Sequence, residues 1–267
     1  RYRLVISERA VFSQTIKNSN YLIRFTLPFL VKSLYRFSDC IIAVSADVKA
    51  DLLNLLPNLN AKISVINNPI LRGDKIKPSW SAKNFRGKPF IIAVGRLHLQ
   101  KDFQRLIKIF ANFAEEVDCN LVICGEGPER YRLEKLIKEL GVENRVFLIG
   151  FRKRVDLWLN RACLFVSVSL WEGLPGGIIQ AVSSGVPIVA TNCPGAVNEI
   201  LEGGELGNLI PLNDDDLLEN AIRTVLKQVL SGAYVAKKEK ILNWCWRYDI
   251  NLRVRDYLRL LTSKPFN

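Results

Sequence analysis

The stretch "VGRLHLQKDF" places Arg96 and Lys101 in one turn, directly after an apolar run. A lysine near the start of a helix opposes the helix macrodipole. Paired with an arginine across the same turn, it makes sense if both face an anion; the alternative is two solvated surface bases. A second stretch, "SLWEGLPGGIIQ", sets Glu172 before Gly173, Leu174, Pro175, Gly176 and Gly177, and an apolar helix follows. Glycine in a first turn weakens a helix. It also lets backbone N–H groups approach a ligand where the helix start is already partly positive, and phosphate suits that nest. The carboxylate of Glu172 cannot usefully bind the phosphate, but it can accept hydrogen bonds from hydroxyls on a neutral group attached to it. Together they suggest a sugar phosphate or sugar nucleotide. The alternative is a plain helix-start charge at Glu172 and glycines that serve a tight turn.

Two further turns carry less. "CGEGPE" lacks the third glycine of a dinucleotide fingerprint and runs straight into Pro128, so it reads as a turn-to-helix device. His98, the one histidine, lies between Arg96 and Lys101 and is either a ligand contact or a bystander. Cys40, Cys119, Cys124, Cys163, Cys193 and Cys245 sit mostly in apolar runs, with neither C-x2-C nor Cys/His ligand spacing. Buried free thiols in a reducing compartment are expected, and no zinc site or disulfide framework.

These turns need a scaffold that holds them at one edge. From Lys88 onward, apolar β-rich runs alternate with amphipathic segments: "PFIIAVGRL" then 101–113, "NLVICGEG" then 128–140, "RVFLIGF" then 154–161, "CLFVSVSL" then the Gly-Gly helix, and "VPIVATN" then 195–201. Nearly continuous Val, Ile, Leu and Phe predicts strands covered on both faces. The βαβα order predicts a parallel, doubly wound sheet whose ligands bind beyond the carboxyl ends of the strands. Before Pro69 there is a shorter α/β piece: a strand in "RYRLVISE", a long apolar-basic helix, "CIIAVSADVKADLL" with a Ser45 or Asp47 cap, and "KISVINNPI". The expected division is a partial amino-terminal domain at 1–70 and an interdomain connection at 71–87. A ligand-binding, doubly wound domain at 88–245 and a C-terminal helix at 246–267, packing back on the first domain, complete it. The chain contains no methionine and opens inside a strand, so it is expected to be a fragment whose true start is missing.

The net charge is +12, and residues 1–75 alone hold 11 Lys and Arg against 5 Asp and Glu. Such a surface suits anionic lipid, nucleic acid or phosphorylated substrates. No stretch reaches 18 uncharged apolar residues, so no membrane span is expected. Residues 17–37 come nearest, broken by Arg24 and Lys32. They read either as a segment docked in the headgroup region of an anionic membrane or as a core helix with a few solvated charges. The motifs that would mark nucleic-acid binding are missing, and no nucleic-acid partner is expected.

Taken in order, "VGRL…QKDFQRLI", "LVICGEGPER…LEKLIKELGVENRVFLIGF", "VSLWEGLPGGIIQAVSSGVPIVATNCPGAVNEIL" and "LGNLIPLNDDDLL" resemble the family-4 (group 1) retaining glycosyltransferases of the GT-B fold. "SDCIIAVSADVKADLL…ISVINNPI" matches the end of such an enzyme's amino-terminal domain. The resemblance implies an α/β chain of GT-B type: a complete doubly wound donor domain plus the partial end of a Rossmann-like acceptor domain. It implies transfer from a nucleotide sugar, a UDP-sugar, to a lipid-linked saccharide for surface polysaccharide, without a metal or other cofactor. The protein would be cytoplasmic and peripheral on the inner face of the membrane.

Residue by residue, the resemblance gives Arg96 and Lys101 the donor diphosphate and Glu172 the donor sugar, as the catalytic set. Gly95 joins the donor site, the backbone at Gly173, Leu174 and Pro175 would hold sugar hydroxyls, and Gly176 and Gly177 the phosphate. Gly150, Phe151 and Arg152 would lie near the base. Two departures stand out. Gln180 occupies the place of a second glutamate that holds the ribose, and the family's amino-terminal contact residues, a histidine among them, have no counterpart. The isolated chain is expected to be inactive. A nucleotide-sugar 2-epimerase and a non-catalytic sugar-nucleotide-binding module are the alternatives.

Overall fold

The computed structural model describes residues 3–73, 78 and 80–262. Strand β1 (Val5–Glu8) leads through α1 (Phe12–Lys17) and α2 (Tyr21–Leu34) to β2 (Cys40–Ala43), then α3 (Ala46–Leu55) and β3 (Ile63–Val65). The three strands make a parallel sheet in the order β1-β2-β3. The middle strand is buried at every position, as a strand with neighbours on both edges and cover on both faces must be. Ser45 rather than Asp47 caps α3: its hydroxyl accepts the Val48 N–H at 3.2 Å.

The second sheet takes β4 (Phe90–Val94), β5 (Asn120–Cys124), β6 (Val146–Gly150), β7 (Leu164–Ser167), β8 (Ile188–Asn192) and β9 (Asn208–Pro211). All pair in parallel, in the order β6-β5-β4-β7-β8-β9. The chain steps outward from β4 to β6 and then returns to β7 on the other side of β4. Ligands of such sheets bind where this reversal opens a crevice beyond the strand ends, here past Val94 and Ser167. The alternation in the sequence predicted five of the six strands. The sixth, β9, is a short edge strand ending in Pro211, a residue that argues against a strand except at an edge.

Helices α4 (Phe103–Phe113), α5 (Arg130–Glu139), α6 (Val155–Leu159), α7 (Gly176–Ser184), α8 (Val197–Ile200) and α9 (Asp215–Leu230) connect and cover these strands. On α4, Phe103, Leu106, Ile107, Phe110 and Phe113 recur at helical spacing and are buried in the core on one face of the sheet. The helix expected from Lys101 begins later. Leu99–Lys101 is a 3-10 turn, and Asp102 takes left-handed backbone (φ 46°, ψ 42°) before α4 starts. Lys101 is thereby turned off the helix axis.

The two parts are joined at several places. Of the expected connection at 71–87, Asp74 to Lys77 and Ser79 lie outside the described residues, as do residues 1–2 and 263–267 of the first and last expected segments. The later part of the connection is fastened to the second sheet's side: Trp80 Nε1 donates to the Ala162 carbonyl at 2.7 Å. Helix α10 (Lys238–Cys245) buries Ile241 and Trp244 in the second core. Helix α11 (Ile250–Thr262) follows, and the Arg3 guanidinium donates to its Leu260 carbonyl. All six cysteines are free and buried.

Candidate active site

A cavity of about 490 Å³ opens at the carboxyl ends of β4, β5 and β6. Gly95, Arg96, Glu126, Phe151, Arg152 and Val155 line it. The Arg96 side chain is exposed and makes no hydrogen bond or ion pair among the described residues. Phe151 is 73% exposed and lines the cavity. The Arg152 guanidinium bonds only to the neighbouring Phe151 carbonyl, at 3.3 Å. Four residues expected at the donor site, Gly95, Arg96, Phe151 and Arg152, thus share one cavity. Gly150 closes β6 with φ 77°.

The glycines of the neighbouring turn have a packing cause. A Cβ on Gly125 would lie 1.8 Å from the Gly95 carbonyl oxygen, and one on Gly127 would lie 2.3 Å from that of Leu97. The two turns are in backbone contact, and the Leu97 N–H donates to the Glu126 carbonyl at 2.9 Å. Glu126 is the carboxylate of the cavity lining, and sequence reasoning missed it. Its Oε1 accepts from Arg130 at 2.7 Å and stands 2.9 Å from where a Gly150 Cβ would begin. Its place directly after a strand end was the available signal.

Beside the cavity, Lys101 and Glu172 form an ion pair. Lys101 Nζ and the Ser169 hydroxyl, the latter at 2.7 Å, both donate to Glu172 Oε1. The Lys101 stem crosses over Gly95: its Cγ, Cδ and Cε lie 2.9–3.2 Å from where a Gly95 Cβ would stand. Glu172 is 5% exposed. A carboxylate that far from water is costly unless paired and hydrogen-bonded, and Lys101 and Ser169 supply both. Oε2 makes no hydrogen bond to a described residue. Nearby, burial and then the Glu172 charge push the Cys193 thiol up to about 12, which keeps it a neutral thiol.

His98 is a turn-forming residue. Its Nδ1 accepts the Gln100 N–H at 3.2 Å and caps the start of the 3-10 turn that includes Lys101. Gln100 in turn reaches the loop before Glu172, where its side-chain amide donates to the Trp171 carbonyl at 2.7 Å.

Helix α7 starts from Pro175 with no side-chain cap, and the Gly176 and Gly177 N–H groups have no hydrogen-bond partner among the described residues. They stand open at the positive end of the helix. A Cβ on Gly177 would meet the Val94 carbonyl oxygen at 3.2 Å, so this glycine brings the helix start against the end of β4. Gly173 answers to something else. Its Cβ would lie 1.9 Å from the Arg9 carbonyl oxygen, and its own carbonyl accepts from the Ser45 hydroxyl and the Ala196 N–H, both at 3.3 Å. The Leu174 side chain packs against the cores of both parts. The amino-terminal part, in which the sequence showed no contact residue, therefore reaches the site through backbone at Arg9 and Ala10. Gln180 lies one turn along α7, half-buried, with no hydrogen bond to its side-chain amide.

Among the described residues, no group of three or more His, Cys, Asp or Glu is placed to hold a metal ion. No described helix is long and apolar enough to cross a membrane.

Known proteins are similar to this chain in sequence and fold. An uncharacterized glycosyltransferase of Methanocaldococcus jannaschii is 31% identical over 178 residues, which are 64% of this chain and 44% of the relative. The chain thus spans less than half of that relative's length. The Campylobacter jejuni "N-acetylgalactosamine-N,N'-diacetylbacillosaminyl-diphospho-undecaprenol 4-alpha-N-acetylgalactosaminyltransferase" is 28% identical over 263 residues, 97% of this chain and 69% of its own. Among solved structures, Anabaena Alr3699/HepE in complex with UDP and glucose matches with a TM-score of 0.80 at 20% identity, over 98% of this chain and 72% of that one. The fold is of GT-B type. The family described as "Glycosyl transferases group 1" matches residues 75–240. That is more than half of the chain, and the chain belongs to this family.

Proposed function

We propose that the chain is the donor-binding part of a retaining, family-4 glycosyltransferase that moves a sugar from a UDP-sugar to a lipid-linked or polysaccharide acceptor. One observation carries this reading: the unpaired Arg96, the Lys101 stem and the open N–H groups of α7 converge on a single switch point, with Glu172 at its edge. Phe151 offers the base a stacking face, and Arg152 lies beside it. Arg96, Lys101 and the start of α7 take the diphosphate. Glu172 Oε2 and the backbone at Gly173, Leu174 and Pro175 take the sugar, and Gln180 the ribose. Charge that develops on the departing diphosphate is stabilised by these fixed cations and dipoles, which take the place of a metal. Same-face attack, with the leaving phosphate accepting the acceptor's proton, retains the anomeric configuration and asks no side chain to act as nucleophile. HepE's complex with UDP and the diphospho-undecaprenol in the Campylobacter relative's name support the donor and acceptor classes.

The acceptor side also draws support from α2, where Tyr21, Leu22, Phe25 and Phe29 are all more than 60% exposed. From Arg9 to Ser38 the chain has five basic residues and no acidic one. Exposed aromatics among unopposed bases suit the headgroup layer of an anionic bilayer on the cytoplasmic side.

Calorimetric titration with UDP-, GDP- and ADP-sugars tests the donor site without needing an acceptor. Binding of a UDP-sugar that EDTA does not weaken is expected, and no binding of any nucleotide sugar overturns the reading. Where this donor-binding part is joined to an acceptor-side domain, product NMR should show the donor's anomeric configuration, and an inverted product removes the retaining mechanism. Co-sedimentation should favour anionic over neutral vesicles, and equal binding to both removes the membrane role.

A further inference from the structure

We propose that Lys101 is a two-position switch that couples recognition of the diphosphate to recognition of the sugar. Without donor its ammonium is held by Glu172. An arriving diphosphate draws it away, and the released carboxylate turns to the sugar hydroxyls while Ser169 keeps hold of it. The inference rests on the donor-site reading above.

The geometry fits such an exchange. The Lys101 stem lies over Gly95, a cavity-lining residue, so the side chain is anchored at the cavity and only its head is committed to Glu172. Rotation about the terminal bonds moves Nζ between the two without moving backbone. The pair is well withdrawn from water, with side-chain exposures of 18% for Lys101 and 6% for Glu172. In such a place neither charge is left alone cheaply. The same oxygen of Glu172 that holds Lys101 also holds the Ser169 hydroxyl, and Ser169 is itself buried. Ser169 remains on Oε1 when Lys101 departs, which lowers the cost of the departure and holds the carboxylate in place. Ser169 is a positioning residue in this scheme. Its backbone is fixed in turn, because the Thr191 hydroxyl donates to the Ser169 carbonyl at 2.9 Å. A diphosphate without a sugar breaks the pair but gives Glu172 nothing in return, so the intact donor is favoured over its nucleoside diphosphate.

The test is calorimetric titration of the full chain with inorganic pyrophosphate and with UDP, on a double-mutant cycle of Glu172→Gln and Lys101→Met. Glu172→Gln should raise pyrophosphate affinity about tenfold when Lys101 is present and by less than about twofold in the Lys101→Met background, as coupled contacting residues do. An equal gain in both backgrounds means a plain field effect of the carboxylate and overturns the switch. Ser169→Ala should lower pyrophosphate affinity about threefold, and Ser169→Thr should restore it, a coupling within the usual range for shared hydrogen bonds. A Ser169→Ala variant that binds as tightly as the wild type removes Ser169 from the scheme. One readout needs no variant: the Lys101 ammonium resonance of the wild-type chain should shift when pyrophosphate is added, and a resonance that stays in place overturns the exchange. If wild-type protein binds neither probe, the donor-site reading fails together with the switch. If it binds both and the cycle shows no coupling, the switch alone fails.

Discussion

The Gln100 side-chain amide donates to the Trp171 carbonyl at 2.7 Å, and the Gln100 carbonyl accepts the Leu170 N–H at 2.8 Å. These two bonds tie the turn that ends at Lys101 to the loop that leads into Glu172. The ion pair between those residues is therefore aligned by its neighbours before any ligand arrives. Gln100→Leu removes the side-chain bond and should cost about 1 kcal/mol of stability, the net worth of one such bond. Donor affinity should fall by about fivefold, because the loops lose their register at the site. Thermal unfolding and calorimetry check both, and an unchanged affinity assigns Gln100 to stability alone.

Gly173 and Gly176 make a matched pair. Alanine at Gly173 puts a methyl group 1.9 Å from the Arg9 carbonyl oxygen, and backbone on both sides leaves no rotamer to escape into. The two parts must separate locally, at a cost of about 2 kcal/mol typical of overpacking. At Gly176 the nearest atom is Ile70 Cδ1 at 3.8 Å, an ordinary contact. Gly176→Ala should therefore leave the unfolding temperature unchanged or slightly raised, since alanine suits a helix better. Equal losses in the two variants contradict this packing account.

The pH dependence of stability has one identifiable contributor at the end of β1. Burial raises the Glu8 carboxyl above the usual glutamate range, and the hydrogen bond from the Tyr35 hydroxyl, at 2.5 Å, only partly opposes it. A carboxyl whose folded value is raised stabilises the fold fully below its ordinary range and loses that contribution as pH rises through the raised value. Glu8→Gln keeps an acceptor for Tyr35 and cannot ionise. Its unfolding temperature should exceed the wild type's at about pH 7 to 8, and the gap should close at about pH 4, where free glutamate protonates. A gap that stays constant across that series excludes ionisation as its cause.

Gln180 offers a neutral carbonyl where the resemblance expects a carboxylate. Gln180→Glu should tighten donor binding by about tenfold, since a charged acceptor makes the stronger hydrogen bond to a hydroxyl. Calorimetry with the UDP-sugar checks this, and equal affinity removes Gln180 from the ribose.

Much of the scaffold was legible because the six-stranded sheet is covered on both faces. "FIIAV", "NLVIC" and "LFVS" had to be continuous apolar runs, and their alternation with helices announced the topology. The β9 segment escaped because an edge strand that carries Pro211 lacks that signature. Arg96 was singled out because it stands just past a strand end, where ligands of doubly wound sheets bind, whereas Phe151 came only from the family resemblance. The reason for Gly173 could not be found. Its partner at Arg9 is main chain, which leaves no trace in residue type. The Lys101–Glu172 pair was hidden for another reason: each residue suggested its own half of a ligand, and nothing in their spacing showed that they hold each other when none is bound.

Leu174 belongs to the cores of both parts, and Gly173 beside it carries the backbone contact between them. A relative motion that widened the cleft would have to pull this side chain from one of its two beds, and the turn that includes Glu172 would travel with it. Under the proposed donor role of that turn, grip on the sugar and apposition of the two parts are one equilibrium. A donor that tightens the first must lower the radius of gyration in solution scattering, and a substitution that props the lobes apart must loosen the grip without touching a ligand atom.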